Sequence, residues 1–352
     1  MKIIFDNIIY SLQKSGGISV YWKKLEDSIF CNKRFVYKNR CENIFYEPHE
    51  NEVEVDGALL FERYKNPRLK KIDLYEPFIF HSSYYRYCKN KNAVNITTVH
   101  DFTYELFRND LKSKFHKLQK KRAVMYSDGV ICISENTRKD LYKYYPKYKG
   151  NVQVIYHGYD NNLYNFEGLT FEKRNRIVIF VGSRVEYKGF YFAVKVLSKI
   201  PELTLKIIGG GNLSCFEKNF LNENIPNRFK KIGYVSNEDL SKIYNEAFAL
   251  FYPSEYEGFG FPVIEAQACG CPVICQKKSS IPEVSGNKCI YADSNDIKKS
   301  IVEIKKLFDC NFFTKLQNEG LENVKRFSWD KCIKETKNFY KYLYESLECK
   351  KK

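Results

Sequence analysis

No apolar run in this 352-residue chain approaches the about eighteen residues that a membrane-crossing helix needs. Any contact with a bilayer is therefore expected to be peripheral. The paired cysteine spacing of a zinc site is also missing. Cys269, Cys271 and Cys275 cluster, but no second pair accompanies them, so no metal is expected. The glycines after the first hydrophobic run lack both the dinucleotide-binding spacing and the Walker lysine–serine ending. No zinc finger, recognition helix or RNA-binding aromatic motif speaks for nucleic acid. A secretory leader is not read either, because Met1-Lys2-Ile3-Ile4-Phe5-Asp6 reaches a charge too soon. These absences predict a reducing, cytoplasmic setting, and the twelve scattered cysteines then read as buried free thiols.

What is present is mostly basic and aromatic. A formal net charge of +16 asks for an anionic partner: a phosphorylated small molecule, an anionic membrane surface or nucleic acid. Hydrophobic content of 44%, with 16% aromatics, excludes a disordered chain and supplies two cores, as the length requires.

In the first half, Lys2–Asp6, Phe78–Ser83, Val94–Asp101, Gly129–Ser134 and Val152–Gly158 read as buried strands. Helix-like stretches alternate with them, one running from Val20 to Phe30 behind Gly16-Gly17 and one from Glu135 to Tyr144 capped by Ser134. Strands alternating with helices predict a doubly wound parallel sheet. The glycine pair reads as a phosphate cradle or, equally, as a tight turn needing positive φ. His100, at the carboxyl end of a strand, lies where open parallel sheets bind ligands, although a satisfied loop histidine fits the same sequence. Residues 31–75 show no sustained period.

Residues 111–127 form a basic stretch, with Lys112, Lys114, Lys117, Lys120, Lys121 and Arg122 set against Leu111, Phe115, Leu118, Val124 and Met125. An amphipathic helix is expected, either a solvated face or one drawn to anionic lipid at about 1 kcal/mol per basic residue. Periodicity lapses over residues 160–175, where the linker is placed.

The second half repeats the alternation. Arg176–Val181 leads to Gly182, with Arg184 and Lys188 ahead of a helix at 189–200; Leu203–Ile208 leads to Gly209-Gly210-Gly211; Phe229–Val235 precedes a helix capped by Ser236. The most informative stretch is 252–275. A buried strand ends at Pro253, Gly258 and Gly260 flank Phe259, and Pro262 and Gly270 bracket a short helix. Glu257 lies in the loop and Glu265 is placed on the helix's first turn. Between them fall the free N–H groups of a helix start, suited to an anion. Carboxylates beside an anion site make sense if they accept hydroxyl groups, which describes a ligand with phosphates in the middle and hydroxyl-rich ends. A capped helix with acids favouring its dipole is the plainer alternative.

With these pieces in order, the chain resembles the retaining glycosyltransferases of family 4, whose architecture is called GT-B: two Rossmann-like doubly wound parallel-sheet domains facing a cleft. The resemblance rests on Glu257-Gly-Phe-Gly-Phe-Pro-Val-Ile-Glu265, on Val181-Gly-Ser-Arg184-Val-Glu-Tyr-Lys188-Gly and on Ile207-Ile-Gly209-Gly-Gly211. In the first half it rests on Gly16-Gly17, His81-Ser-Ser-Tyr-Tyr-Arg86, His100-Asp101 and Ile133-Ser134-Glu135. Gln267 and Asn287-Lys288 depart from it mildly. It implies an acceptor-side domain over 1–165, a nucleotide-sugar domain over 176–328 and a last helix, 329–352, returning to the first domain.

The resemblance further implies that Arg184 and Lys188 neutralise the diphosphate in place of a metal, that Glu265 accepts from the ribose and that Glu257 accepts from the transferred sugar. Gly258, Phe259 and Gly260 would offer amides, Val235 backbone beside the base, Gly16 and Gly17 an approach to the diphosphate, and His100 a place over the sugar. No cofactor is implied beyond the donor, for which GDP-mannose is preferred to UDP-hexoses, and the acceptor would be a lipid-linked saccharide. A same-fold epimerase or phosphorylase, and a non-catalytic lipid- or nucleic-acid-binding protein, are the alternatives.

Overall fold

A computed structural model describes residues 1–36, 42–54, 64–67 and 75–351. Much of the aperiodic stretch at 31–75, together with Cys41, lies outside the described residues, as does the side chain of Cys349. The chain divides into two compact units: residues 1–158 with 329–352, and residues 159–328.

In the first unit the described residues form a parallel sheet of seven strands: β1 (Lys2–Asp6), β2 (Lys33–Val36), β3 (Glu52–Glu54), β4 (Phe78–Ser82), β5 (Ala93–Val99), β6 (Gly129–Cys132) and β7 (Asn151–Val154). Their order is β3-β2-β1-β4-β5-β6-β7. The direction of winding reverses between β1 and β4, which pair from Lys2↔Phe78 to Asp6↔Ser82. Helices α1 (Ile9–Leu12), α2 (Gly17–Ser28), α3 (Thr103–Phe107), α4 (Leu111–Met125) and α5 (Glu135–Tyr144) connect them. β4 and β5 are buried along their whole length, as parallel strands covered on both faces must be. β7, at the sheet edge, alternates between exposed and half-buried residues.

The second unit holds a parallel sheet in the order β10-β9-β8-β11-β12-β13. Its strands are β8 (Asn175–Val181), β9 (Thr204–Ile208), β10 (Phe229–Ile232), β11 (Ala247–Tyr252), β12 (Val273–Cys275) and β13 (Ile290–Tyr291). Its helices are α6 (Phe190–Leu197), α7 (Cys215–Asn224), α8 (Asn237–Glu246), α9 (Phe261–Ala268), α10 (Ile281–Val284), α11 (Ile297–Lys305) and α12 (Cys310–Val324). Here winding reverses between β8 and β11. Val178, Phe180, Leu205, Ile207, Phe248, Ala249 and Phe251 from the sheet bury against Val194, Leu197, Ile304 and Phe313 from the helices. Such a core is what the hydrophobic runs require, each buried aliphatic or aromatic side chain contributing about 1.5–3 kcal/mol.

Several helix starts are fixed by side chains. Ser134 accepts from the Thr137 amide, Ser236 from the Asp239 amide, and Ser214 shares a reciprocal capping box with Glu217. Residues 160–175 are not a free tether. They belong to the second unit, where the buried Arg174 donates to the carbonyls of Tyr244, Ala247 and Cys269. The last helix, α13 (Trp329–Lys351), packs with the first unit, its buried Tyr340 hydroxyl bonded to His81. No helix among the described residues is long and apolar enough to cross a membrane.

The solvated-face expectation for α4 inverts. Most of its apolar residues face outward: Leu111 is 71% exposed and Phe115 57%, with Leu118 and Met125 also exposed, while Val124 is buried. The buried side carries Ser113, His116, Gln119, Lys120, Ala123 and Val124. Lys120 explains the inversion. It is fully buried, 2.8 Å from Glu105, donating to the Asp101 carbonyl and standing over the Phe102 ring. His116 stacks on Tyr104 with ring centroids 3.9 Å apart. A paired cation and stacked rings take the positions that aliphatic residues were expected to fill.

Candidate functional site

Ligands of doubly wound sheets bind at strand carboxyl ends where the winding reverses. In the second unit that place is the carboxyl ends of β8 and β11. Gly182–Gly189 follows β8 and Pro253–Gly260 follows β11, so the sequence's basic motif and its acidic loop meet there. Their contact is direct: the Lys188 ammonium lies 2.5 Å from a Glu257 carboxylate oxygen, and the Glu255 amide donates to the Tyr187 carbonyl. Lys188 and Glu257 are mostly buried, at 17% and 13% side-chain exposure, so the pair is weakly screened by water.

Glu257 is held from three sides. Its amide donates to Ser279 Oγ, and the Ser280 hydroxyl donates to the carbonyls of Glu257 and Phe259. Phe259 points its ring into the core against Phe261 and Phe327, leaving only backbone for a ligand. Gly260 is the N-cap of α9 at φ 110°, a left-handed value, and an added Cβ would meet Ile281 Cδ1 at 3.0 Å. No side chain caps α9, so its N-terminal N–H groups keep their affinity for an anion.

Glu265 is the fifth residue of α9, beyond the first turn expected from the sequence. The shift follows from Phe261, which takes the first helical position expected for Pro262. Burial raises the Glu265 carboxyl to about 7, against a weaker opposing hydrogen bond from the Tyr244 hydroxyl. At neutral pH it therefore exchanges between ionised and neutral forms and is not a permanent carboxylate.

Arg184 differs from expectation more sharply. Its side chain is 5% exposed and its guanidinium is engaged within the unit: Nε donates to Glu217 at 2.7 Å, Nη2 to the Asn212 carbonyl and, more weakly, Nη1 to the Gly209 carbonyl. The residue clamps the glycine loop after β9 and arrives at the site already paired. That loop has all three glycines left-handed, at φ 73°, 71° and 72°, and a Cβ on Gly210 would strike the Gly182 carbonyl and the Arg184 guanidinium. Lys231, outside every motif read from the sequence, donates to the same Gly209 carbonyl at 2.8 Å; burial and then Arg184 lower its pKa. Glu217 was findable through its capping-box spacing from Ser214, whereas Lys231, Ser279 and Ser280 carry no local signal. Val235 lies half-buried in the loop after β10, beside the exposed Tyr234.

The other predicted residues belong to the first unit. Gly17 opens α2 and Gly16 is its N-cap at φ 163°, extended backbone that any residue adopts, so neither a positive-φ turn nor strain explains the pair. His100 follows β5 and is nearly buried, its ring 5.5 Å edge-on from Tyr21 and 5.8 Å from His157. Burial lowers its pKa to about 4, Asp101 opposing and Lys120 assisting, so the imidazole is neutral at pH 7. Lys120 also fixes the Asp101 carbonyl, and this support for the His100-Asp101 turn was not legible in the sequence.

Of the predicted buried thiols, Cys31, Cys88, Cys132, Cys269, Cys271, Cys275 and Cys332 are buried, but Cys215 and Cys310 are exposed and Cys289 is half-buried. Among the described residues no group of three or more His, Cys, Asp or Glu side chains is placed to hold a metal ion.

Comparison with known proteins gives this geometry a family. A model of the glycosyl transferases group 1 matches residues 161–327, and one of the Glycosyltransferase Family 4 matches residues 48–163. An O-antigen chain mannosyltransferase B of Escherichia coli is 42% identical over 113 residues, which span 32% of this chain and 30% of that relative's length. An uncharacterized glycosyltransferase of Methanocaldococcus jannaschii is 28% identical over 72% of this chain and 70% of its own. Among solved structures, a sucrose-phosphate synthase from Thermosynechococcus elongatus superposes with a TM-score of 0.75 at 19% identity, covering 98% of this chain and all of that one. With the two models together spanning residues 48–327, and with a doubly wound parallel sheet in each unit, the chain belongs to the group 1, family 4 glycosyltransferases of GT-B fold.

Proposed function

We propose that the protein transfers a hexose, with mannose preferred, from a nucleotide sugar to a saccharide acceptor, with retention of anomeric configuration. The observation that carries the reading is the Lys188–Glu257 pair at the carboxyl ends of β8 and β11, next to the uncapped start of α9. Breaking the bond between the anomeric carbon and phosphate oxygen leaves negative charge on the diphosphate and positive character on the sugar. A fixed ammonium and helix-start N–H groups oppose the first charge, the kind of preorganised term that dominates many rate enhancements. An ammonium has three donors, so Lys188 can hold Glu257 and still meet phosphate. Glu257, held in place by that contact, accepts from hydroxyls of the transferred sugar.

In this reading Glu265 accepts from the ribose, and the amides of Gly258, Phe259 and Gly260 face phosphate and sugar. The backbone at Val235 lies beside the base. Arg184 acts mainly by holding the glycine loop, with its remaining N–H groups available to phosphate. The leaving phosphate takes the acceptor's proton, and fixed cations do what a divalent metal does elsewhere. The mannose preference follows the similarity to the mannosyltransferase of Escherichia coli. A thermal-shift screen against GDP, UDP and ADP sugars tests the donor, because ligands that bind the folded state raise its melting temperature. NMR of the product reads the anomeric configuration. No shift with any nucleotide sugar would overturn the proposal.

A lipid-linked acceptor, met at an anionic membrane surface, is the second part of the reading, and α4 supports it. Leu111, Phe115 and Leu118 project beside the exposed Lys112, Lys114, Lys121 and Arg122, a mixture suited to the lipid headgroup boundary. Binding to anionic vesicles should weaken with salt yet retain an apolar component. Equal binding to neutral and anionic vesicles would contradict it.

A further inference from the structure

Flanking the segment that holds the Glu257 loop, two thiols approach each other. Cys275 ends β12 and Cys289 precedes β13, and their sulfurs are 3.2 Å apart. The strands are parallel with Cys275 opposite Tyr291, so Cys289, two residues before Tyr291, projects from the same face as a diagonal neighbour. Among the described cysteines no other sulfur–sulfur contact is this close. The two differ in access: Cys275 is fully buried, whereas Cys289 is half-buried with its sulfur also beside the Ser285 hydroxyl at 3.4 Å.

We infer that Cys275 and Cys289 form a redox modification site that reacts with a low-molecular-weight disulfide and closes into an intrachain bridge. Cys289, the accessible member, attacks first. Its thiolate takes one sulfur of the disulfide RSSR, breaking that S–S bond and releasing RS⁻. Cys275 then loses its proton and attacks the Cys289 sulfur, expelling the second RS⁻. The two protons lost by the protein end on the two released thiolates, so two protein thiols and RSSR become one bridge and two RSH. The surroundings suit this order. The Cys275 thiol donates to the Cys289 sulfur and lowers its pKa, while burial raises that of Cys275, matching a nucleophile with its resolving partner.

The bridge would close residues 275–289 into a ring, and that ring contains Ser279 and Ser280. Both hold the Glu257–Phe259 loop through three hydrogen bonds, at 2.9, 2.9 and 2.8 Å. Oxidation therefore stiffens the support of the candidate site without placing either sulfur in it. The thiol chemistry does not depend on the glycosyl-transfer reading and is tested without a sugar substrate.

The reduced protein is titrated with oxidised glutathione, then alkylated, digested and mapped by mass spectrometry. The expected product is a Cys275–Cys289 cross-link, accompanied by a melting-temperature rise of about 5 °C, since a bridge closing a ring of this size constrains the unfolded chain. Backbone hydrogen exchange over 276–288 should slow by about tenfold or more. Cys289→Ser should abolish cross-link and shift. Cys275→Ser should trap glutathione on Cys289, because the resolving thiol is gone. The exposed Cys215 and Cys310 serve as internal controls, expected to carry only glutathione that reductant removes. Oxidation confined to Cys215 and Cys310, or glutathione that stays on Cys289 in the unsubstituted protein, would overturn the dithiol. A cross-link that left exchange over 276–288 unchanged would overturn its bracing of the loop. The mapping of the unsubstituted protein stands even if a serine variant fails to fold.

Discussion

The two units share a winding pattern but use charge differently. In the first, ion pairs are buried within the fold: Arg86 with Asp6, Lys120 with Glu105 and Arg34 with Glu26 all have both side chains at or below 10% exposure. In the second, the core is a continuous apolar cluster, and the better-shielded ion pairs, Lys188–Glu257 and Arg184–Glu217, gather at strand carboxyl ends. Charge therefore serves mainly packing and turn support in one unit and gathers at the candidate site in the other. Removing one member of a pair should cost stability in the first unit and turnover in the second.

The largest test of that contrast is Lys188→Ala. Donor turnover should fall by about 10²–10³-fold, as when one preorganised donor is removed from a charge-stabilising site, while the melting temperature moves little. Arg184→Ala should instead lower both, because the clamp on the glycine loop and the partner of Glu217 go together. If Arg184→Ala lost turnover alone, the clamp would be refuted and Arg184 would rank with Lys188.

Next in size is Lys120→Met in the first unit. It leaves the Glu105 carboxylate buried beside Phe102 and Tyr145, and urea unfolding should report a loss of about 3–5 kcal/mol. Replacing Glu105 as well, by Gln, should recover part of that loss. An unaltered midpoint in Lys120→Met would show that the pair is not structural.

A smaller effect lies in pH. Glu265 is raised towards 7 in the unliganded protein, and hydroxyl donors from a ribose favour its ionised form. Nucleotide binding at pH 6 should therefore release a proton, and affinity should climb as pH rises from 5 to about 7, then level. The stability linkage has the opposite sense. With a folded pKa above the unfolded one, this group's stabilising effect is full at low pH and is lost as pH rises from about 4.5 through 7. Glu265→Gln should flatten both profiles, with calorimetry in buffers of different ionisation heat as the measurement.

The smallest change in stability is expected on α4. Phe115→Ser and Leu118→Ser should alter it by no more than about 0.5 kcal/mol, since both side chains already face water. Vesicle binding should nevertheless drop. A large loss of stability would mean that these residues pack in solution.

Legibility in the sequence followed the same division. In the second unit β8, β9 and β11 are largely apolar runs and several helix starts carry capping residues, so these strands and the loops after them were readable from local pattern alone. The Lys188–Glu257 contact was not, because 69 residues separate the partners and neither motif encodes the other's position. Arg184 looked like a free cation because nothing local announces that Glu217 and two carbonyls engage three of its donors. In the first unit periodicity misled at α4, where a buried lysine and stacked histidine occupy the inner face. Hydrophobic pattern assumes that polar residues face water, and a paired ion breaks the assumption.

The alternation of strands and helices outside residues 31–75, the glycine loops and the acidic and basic motifs followed from the sequence, because backbone periodicity and turn chemistry act between near neighbours in the chain; β2 and β3, inside that aperiodic stretch, did not. Which cation meets which carboxylate, which face of α4 is outward, how far burial lifts Glu265 and which two thiols touch were decided only by tertiary structure. Those properties depend on the distance and shielding between groups remote in sequence, and packing alone sets both.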